Sequence, residues 1–97
     1  MIRSFRHRET ELVWKGEGSR SLSEAIQHVA RRRLRMLNNA RTLNDLCVPP
    51  ANRLEALRGD RKGQHSIRIN DQWRICFVWQ DDDASAIEIV DYTEPNR

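Results

Sequence analysis

The sequence predicts an α+β domain, two N-terminal helices packed on one face of an antiparallel sheet. Three observations predict it. Ser21-Leu22-Ser23-Glu24 has the form of a capping box and opens a stretch whose apolar residues recur at helical spacing. Three C-terminal segments alternate instead with a period of two. The two main helical patterns precede these three segments, the order expected of helices and sheet in separate layers. A chain of 97 residues has room for one core, so residues 1–97 read as a single domain.

The elements follow in order. Residues 2–7 alternate enough for a short strand. Residues 8–15 read as a brief helix carrying Leu12, Val13 and Trp14, ended by Gly16 and Gly18. With Ser21 as N-cap and Glu24 three residues on, the main helix is expected over residues 22–41. Leu22, Ala25, Ile26, Val29, Met36, Leu37 and Ala40 then share a stripe about 120° wide. Arg33 falls inside that stripe, where a long aliphatic stem can snorkel past the sheet edge. Arg31, Arg32 and Arg35 lie off it, on a solvated face.

A helical turn is expected over 42–46 and a loop at Pro49-Pro50-Ala51-Asn52. A weak strand over 53–58 leads to the glycine-bounded loop 59–63. Over 65–70, Ile67 and Ile69 oppose Ser66 and Arg68. Over 73–79, Trp73, Ile75, Phe77 and Trp79 oppose Arg74, Cys76 and Val78. Asp81-Asp82-Asp83 makes a turn. The last strand covers 86–92, with Ile87 and Ile89 facing away from Glu88, Val90 and Tyr92.

Composition narrows the function. No apolar run approaches the roughly 20 residues of a membrane span. The N-terminus, with Arg3, Arg6 and Arg8, lacks the apolar core of a signal peptide. Both point to a cytoplasmic protein with no membrane role. Cys47 and Cys76 lie far apart, as two free thiols in a reducing compartment would. His7, His28 and His65 show no metal-ligand spacing, so neither a metal site nor a cofactor is expected. Residues 1–41 hold ten Lys/Arg against four acids, and residues 81–94 hold six acids and no base. Fifteen of the 17 basic residues are arginine, whose planar fork suits phosphate. With a pI near 9.4, an anionic partner is the first expectation.

The central hairpin sharpens it. Keeping Ile67, Ile69, Trp73 and Ile75 on one face sets Ile69 opposite Trp73 across a three-residue loop, Asn70-Asp71-Gln72. That register puts Arg68 opposite Arg74 on the face away from the helices, where directly opposed like charges are destabilising by up to about 1 kcal/mol. Either a bound anion relieves the pair, or Glu88 or Asp91 does. On the first alternative, Arg74→Ala removes function and leaves stability unchanged or higher. Arg58, Arg61, Lys62, His65, Asp91 and Tyr92 are expected to gather around the same face. Phosphate clamps, an imidazole, a carboxylate and a stacking ring are the parts of an RNA-cleaving site: arginines stabilise the pentacovalent phosphorane, and proton transfer falls to His65, Glu55, Asp91 or Tyr92.

The residues also carry a resemblance. Met1-Ile2-Arg3-Ser4-Phe5, Leu57-Arg58-Gly59-Asp60-Arg61-Lys62-Gly63, Ser66-Ile67-Arg68-Ile69-Asn70, Gln72-Trp73-Arg74-Ile75-Cys76-Phe77 and Asp91-Tyr92 together resemble the HigB toxins of the RelE/ParE superfamily. The resemblance implies a compact RelE-like (microbial-RNase-like) fold and a ribosome-dependent mRNA endonuclease that inhibits translation. It also implies neutralisation by a HigA-type helix-turn-helix antitoxin, through which alone operator DNA is contacted. By position it carries roles to Arg58, Arg74, Asp91 and Tyr92. Glu55 and Thr93 stand where relatives have histidines, and His65 replaces a frequent aromatic, which implies a slow enzyme. Two other functions compete: a ParE-like poison of DNA gyrase, and a non-catalytic nucleic-acid-binding module.

Overall fold

The computed structural model describes residues 1–92. Helices α1 (Arg8–Trp14) and α2 (Glu24–Asn39) precede a four-stranded antiparallel sheet: β1 (Glu55–Ala56), β2 (Gln64–Arg68), β3 (Trp73–Gln80) and β4 (Asp83–Asp91), in the order β1-β2-β3-β4. Both helices lie on one sheet face. Val13 of α1 and Ala30, Leu34 and Leu37 of α2 meet Ile67, Ile75, Phe77 and Ile87, and all eight are 0% exposed. Burying a large apolar side chain contributes about 1.5–3 kcal/mol, so this layer fixes the sheet and leaves its other face for function.

Several expectations shift. The N-cap of α2 is Ser23, whose hydroxyl accepts from the Ile26 amide at 3.3 Å. Ser21 is not available for that role, because its hydroxyl turns to the Glu9 carboxylate on α1. The buried row of α2 is Gln27, Ala30, Leu34 and Leu37, rotated from the expected stripe, and Ala25 is exposed. Gln27 is what turns the helix: its amide donates to the Leu22 and Ser19 carbonyls at 2.7 and 3.1 Å, tying down the entry loop. Arg33 does run past the sheet edge, and its Nε reaches the Arg68 carbonyl at 3.1 Å. The turn after α2 is a 3₁₀ segment, Leu43–Cys47, opened by a Thr42/Asp45 capping box.

Residues 2–7 do not form a strand. They run parallel to β4 through two isolated bridges, Ile2 with Ala84 and Phe5 with Ile87. The ladder breaks between them because β4 bulges: Ala86 has φ +51, and its amide is taken by the Ser4 hydroxyl. The bulge also brings Ala84 and Ile87, three residues apart, onto the same core face. β4 begins at Asp83, three residues before its expected start, after a two-residue turn in which Asp81 and Asp82 are both left-handed. The expected strand over 53–58 shrinks to Glu55–Ala56, since Arg53 takes a left-handed conformation. The β2–β3 register is the expected one, with Arg68 opposite Arg74 and the Ile69 amide bonded to the Trp73 carbonyl.

Candidate functional site

On the face away from the helices, the β2–β3–β4 register lines up Ser66 with Cys76, Arg68 with Arg74 and Cys76 with Glu88. The sequence implied an open face here, and it is covered: Ser66 and Cys76 are 0% exposed and Arg74 is 6% exposed. The cover comes from both edges of the sheet. On one side stand β1 and the loop after it, and on the other the end of β4. Between them runs a cleft of about 900 Å³ lined by Glu55, Arg58, Asp60, Arg61, Asp91 and Tyr92, with Ala56, Leu57, Gly59 and Val90. Five of the residues singled out from sequence therefore meet in one cleft.

Arg74 lies beneath them and is held from three directions. Its Nε donates to the Ser66 hydroxyl at 2.8 Å, and its Nη2 donates to the Arg53 carbonyl at 2.5 Å. Nη2 also lies 3.0 Å from a Glu55 carboxylate oxygen. The Tyr92 ring stacks with the guanidinium 5.5 Å from its centroid. Burial pulls the Arg74 pKa below its ordinary value, opposed mainly by Glu55. The left-handed Arg53 now has a reason: it aims a main-chain carbonyl at this cation.

The second cation is held in the same manner. Arg61 Nη1 lies 2.7 Å from Glu88, whose hydrogen bond raises the arginine's pKa. Tyr92 is within hydrogen-bonding reach of Ser66 and Cys76, and burial pushes the Tyr92 phenol and the Cys76 thiol upward, so both stay protonated at neutral pH. The Tyr92 amide donates to the Gln72 carbonyl at 2.5 Å, and the Gln72 amide side chain donates to Asp91 at 3.1 Å. The β2–β3 loop thus pins the end of β4. Arg58 and Lys62 flank the short 3₁₀ turn Gly59–Arg61 and are both exposed.

Three of the residues are not brought to this cleft, Lys62 standing just outside its lining. His65 pairs with Phe77 on the helix side of the sheet, stacked at 6.2 Å, because β2 alternation places it with Ile67. Arg68 faces the right way but turns its guanidinium to Asp71. The opposed Arg68/Arg74 pair is therefore relieved by Asp71 and Glu55, not by Glu88 or Asp91, and no bound anion is needed to explain it. Thr93 lies outside the described residues. The sequence reading missed the structural roles of Ser66 and Cys76, although their parity with Arg68 and Arg74 signals the shared face. Among the described residues, no three His, Cys, Asp or Glu side chains come together as a metal-binding group. No helix in that span is long and apolar enough to cross a membrane.

The arrangement offers an exposed carboxylate, Glu55, and a protonated phenol, Tyr92, both in contact with one fixed guanidinium. It suits a phosphate whose neighbouring oxygens must lose and gain a proton. Comparison with known proteins bears on that chemistry. The family model for the RelE-like toxin of the type II toxin–antitoxin system HigB matches residues 3–94. The Vibrio cholerae serotype O1 protein named Toxin HigB-1 is 36% identical over 78 residues, covering 80% of this chain and 78% of that one. The Proteus vulgaris Endoribonuclease HigB is 31% identical over 93 residues, covering 95% and 99%. Among solved structures, a chain of the YoeB–YefM complex from Staphylococcus aureus matches with a TM-score of 0.63 at 17% identity, covering 97% of each chain. That likeness is one of fold.

Proposed function

This chain belongs to the RelE-like HigB toxins of type II toxin–antitoxin systems, and from that premise we propose that it is an endoribonuclease that cleaves mRNA on the ribosome. Its antitoxin is of the HigA helix-turn-helix type, it touches operator DNA only through that partner, and it works in the cytoplasm. The observation that carries the reading is the pairing of Glu55 and Tyr92 around Arg74, 3.0 Å from the carboxylate and 5.5 Å from the ring centroid.

The reaction follows from those positions. The RNA 2′-oxygen attacks the adjacent phosphorus as Glu55 takes its proton. The phosphorus–5′-oxygen bond breaks, and Tyr92 gives that oxygen a proton, leaving a 2′,3′-cyclic phosphate and a 5′-hydroxyl. Arg74, already anchored, stabilises the charge on the phosphorane without reorganising, and Arg58, at the exposed rim, draws the phosphate in and closes on it. Arg61 and Lys62 contact neighbouring phosphates. Asp91, held by Gln72, keeps the end of β4 in place. His65 has no part in proton transfer, since it stacks on Phe77 across the sheet.

Mapping RNA ends after induction tests the reading. The expected result is new 5′-hydroxyl ends inside translated reading frames, absent when ribosomes are withheld. Undamaged messages with accumulated double-strand breaks in DNA would overturn it in favour of a gyrase poison.

A further inference from the structure

Among the described residues, the densest run of basic side chains without ion pairs lies on α2, across the sheet from the cleft. Residues 31–35 hold Arg31, Arg32, Arg33 and Arg35, and Glu24 is the only acid of the helix. Arg31 and Arg33 each donate to a neutral carbonyl, Val13 at 2.9 Å and Arg68 at 3.1 Å. Among the described residues, none of these four arginines has a carboxylate at ion-pairing distance. Arg32 and Arg35 are exposed, and at 100° per residue they share a stripe with the exposed His28.

This ridge works against the helix that carries it. Like charges three residues apart on a helix, as Arg32 and Arg35 are, repel, and burial, with Arg32 adding to it, pulls the pKa of Arg33 down. The helix dipole does not compensate, since no basic residue sits in the last turn, where a cation would be favoured. A ligand that repays such repulsion is an anion. A protein partner would need an apolar anchor, yet the exposed large hydrophobics among the described residues are Met1 and Val48, neither of them on α2. A phosphate backbone needs no such anchor. From His28 to Arg35 the ridge runs about 10 Å, enough to follow successive phosphates.

We infer that the α2 ridge of His28, Arg32 and Arg35 docks the phosphate backbone of folded RNA, separately from the strand held in the cleft. The inference rests on the ribosome-directed reading above and names a second RNA surface for it. The two surfaces lie on opposite sides of the sheet, so the ridge holds the protein on structured RNA while the cleft takes the single strand.

The test is co-sedimentation with purified ribosomes over a series of salt concentrations, comparing wild type, Arg32→Gln/Arg35→Gln and Arg58→Ala. Two lost phosphate contacts lower the slope of log affinity against log salt by about 1.4–1.8. The ridge variant is expected to show that smaller slope and at least tenfold weaker binding at low salt, with an unchanged melting temperature. Unchanged affinity and slope would overturn the inference. So would loss of antitoxin binding with ribosome binding intact, which would make the ridge a protein interface, and so would a wild type that does not sediment with ribosomes. The readout is binding, so a wild type that binds but cuts no message refutes the nuclease reading, and the slope still decides the ridge.

Discussion

In the cleft, Arg74 meets Glu55 at 3.0 Å and Arg61 meets Glu88 at 2.7 Å, whereas on α2 the exposed Arg32 and Arg35 meet no carboxylate among the described residues. The same residue type is set in two opposite environments. A paired, buried arginine has one orientation, which stabilising a phosphorane requires, because the donor must already point at the developing charge. An unpaired, exposed arginine has no fixed orientation but keeps its full field, which long-range attraction to a polyanion requires. The first arrangement costs desolvation and the second costs repulsion. The molecule accepts each cost on a different side of its sheet.

The largest effect that sharpens this contrast is expected at Arg74. Removing its side chain strips Ser66, the Arg53 carbonyl and Glu55 of their shared donor in a site 6% exposed. An unrelieved Arg68/Arg74 pair would leave stability unchanged or higher on its removal. The structure reverses that, since the pair is already relieved. Arg74→Ala should abolish cleavage and lower stability by about 2–4 kcal/mol, read as a lower midpoint in denaturant. A midpoint matching wild type would show that the buried contacts contribute nothing.

Glu55 separates chemistry from stability. Its side chain is 57% exposed, so its ion pair contributes little to folding. Glu55→Gln keeps the shape and removes the base, and single-turnover cleavage on programmed ribosomes should slow by roughly 10²–10⁴-fold. The melting temperature should fall far less than with Arg74→Ala, because the Ser66 hydroxyl and the Arg53 carbonyl still hold the guanidinium. If the rate holds while Tyr92→Phe is equally silent, the acid and base have been misassigned.

How much of this contrast the sequence carried depends on where each residue sits. The β2–β3 register was legible, because Ile67, Ile69, Trp73 and Ile75 allow only one pairing that keeps them together. The cleft was legible as a set of residues, since Glu55, Arg58, Arg61, Asp91 and Tyr92 all line it. Its partners were not. Glu55 reaches Arg74 only because β1 pairs it with Ser66, and two residues of strand leave almost no periodicity to read. His65 was assigned by chemistry when its parity with Ile67 already put it on the core side. The rotation of α2 was hidden because a polar residue, Gln27, sits in the buried row.

The two cysteines report on the same division. Cys47 is exposed, while Cys76 is buried under Tyr92 and Arg61 with its thiol pushed upward by burial. Because the thiolate is the reactive form, iodoacetamide should label Cys47 readily in native protein and Cys76 only after denaturation. Prompt native labelling of both, followed by mass spectrometry, would mean that the cleft floor opens easily and that Arg74 is less fixed than its contacts imply.

The smallest effect is expected on the ridge, and its sign distinguishes the two regions. Arg32→Gln/Arg35→Gln removes like-charge neighbours at helical spacing, each worth about 0.2–0.5 kcal/mol. Glutamine and arginine have nearly equal helix propensity, so the exchange carries almost no backbone cost. Stability should stay level or rise by a few tenths of a kcal/mol, and the gain should vanish in about 1 M salt, where the Debye length falls to about 3 Å. Removing one arginine from the cleft therefore weakens the fold, whereas removing two from the ridge does not. Thermal melts of both variants at low and high salt make the comparison directly. If the ridge variant instead loses more than about 1 kcal/mol at both salt concentrations, Arg32 and Arg35 support the fold, and the division of labour between the two faces fails.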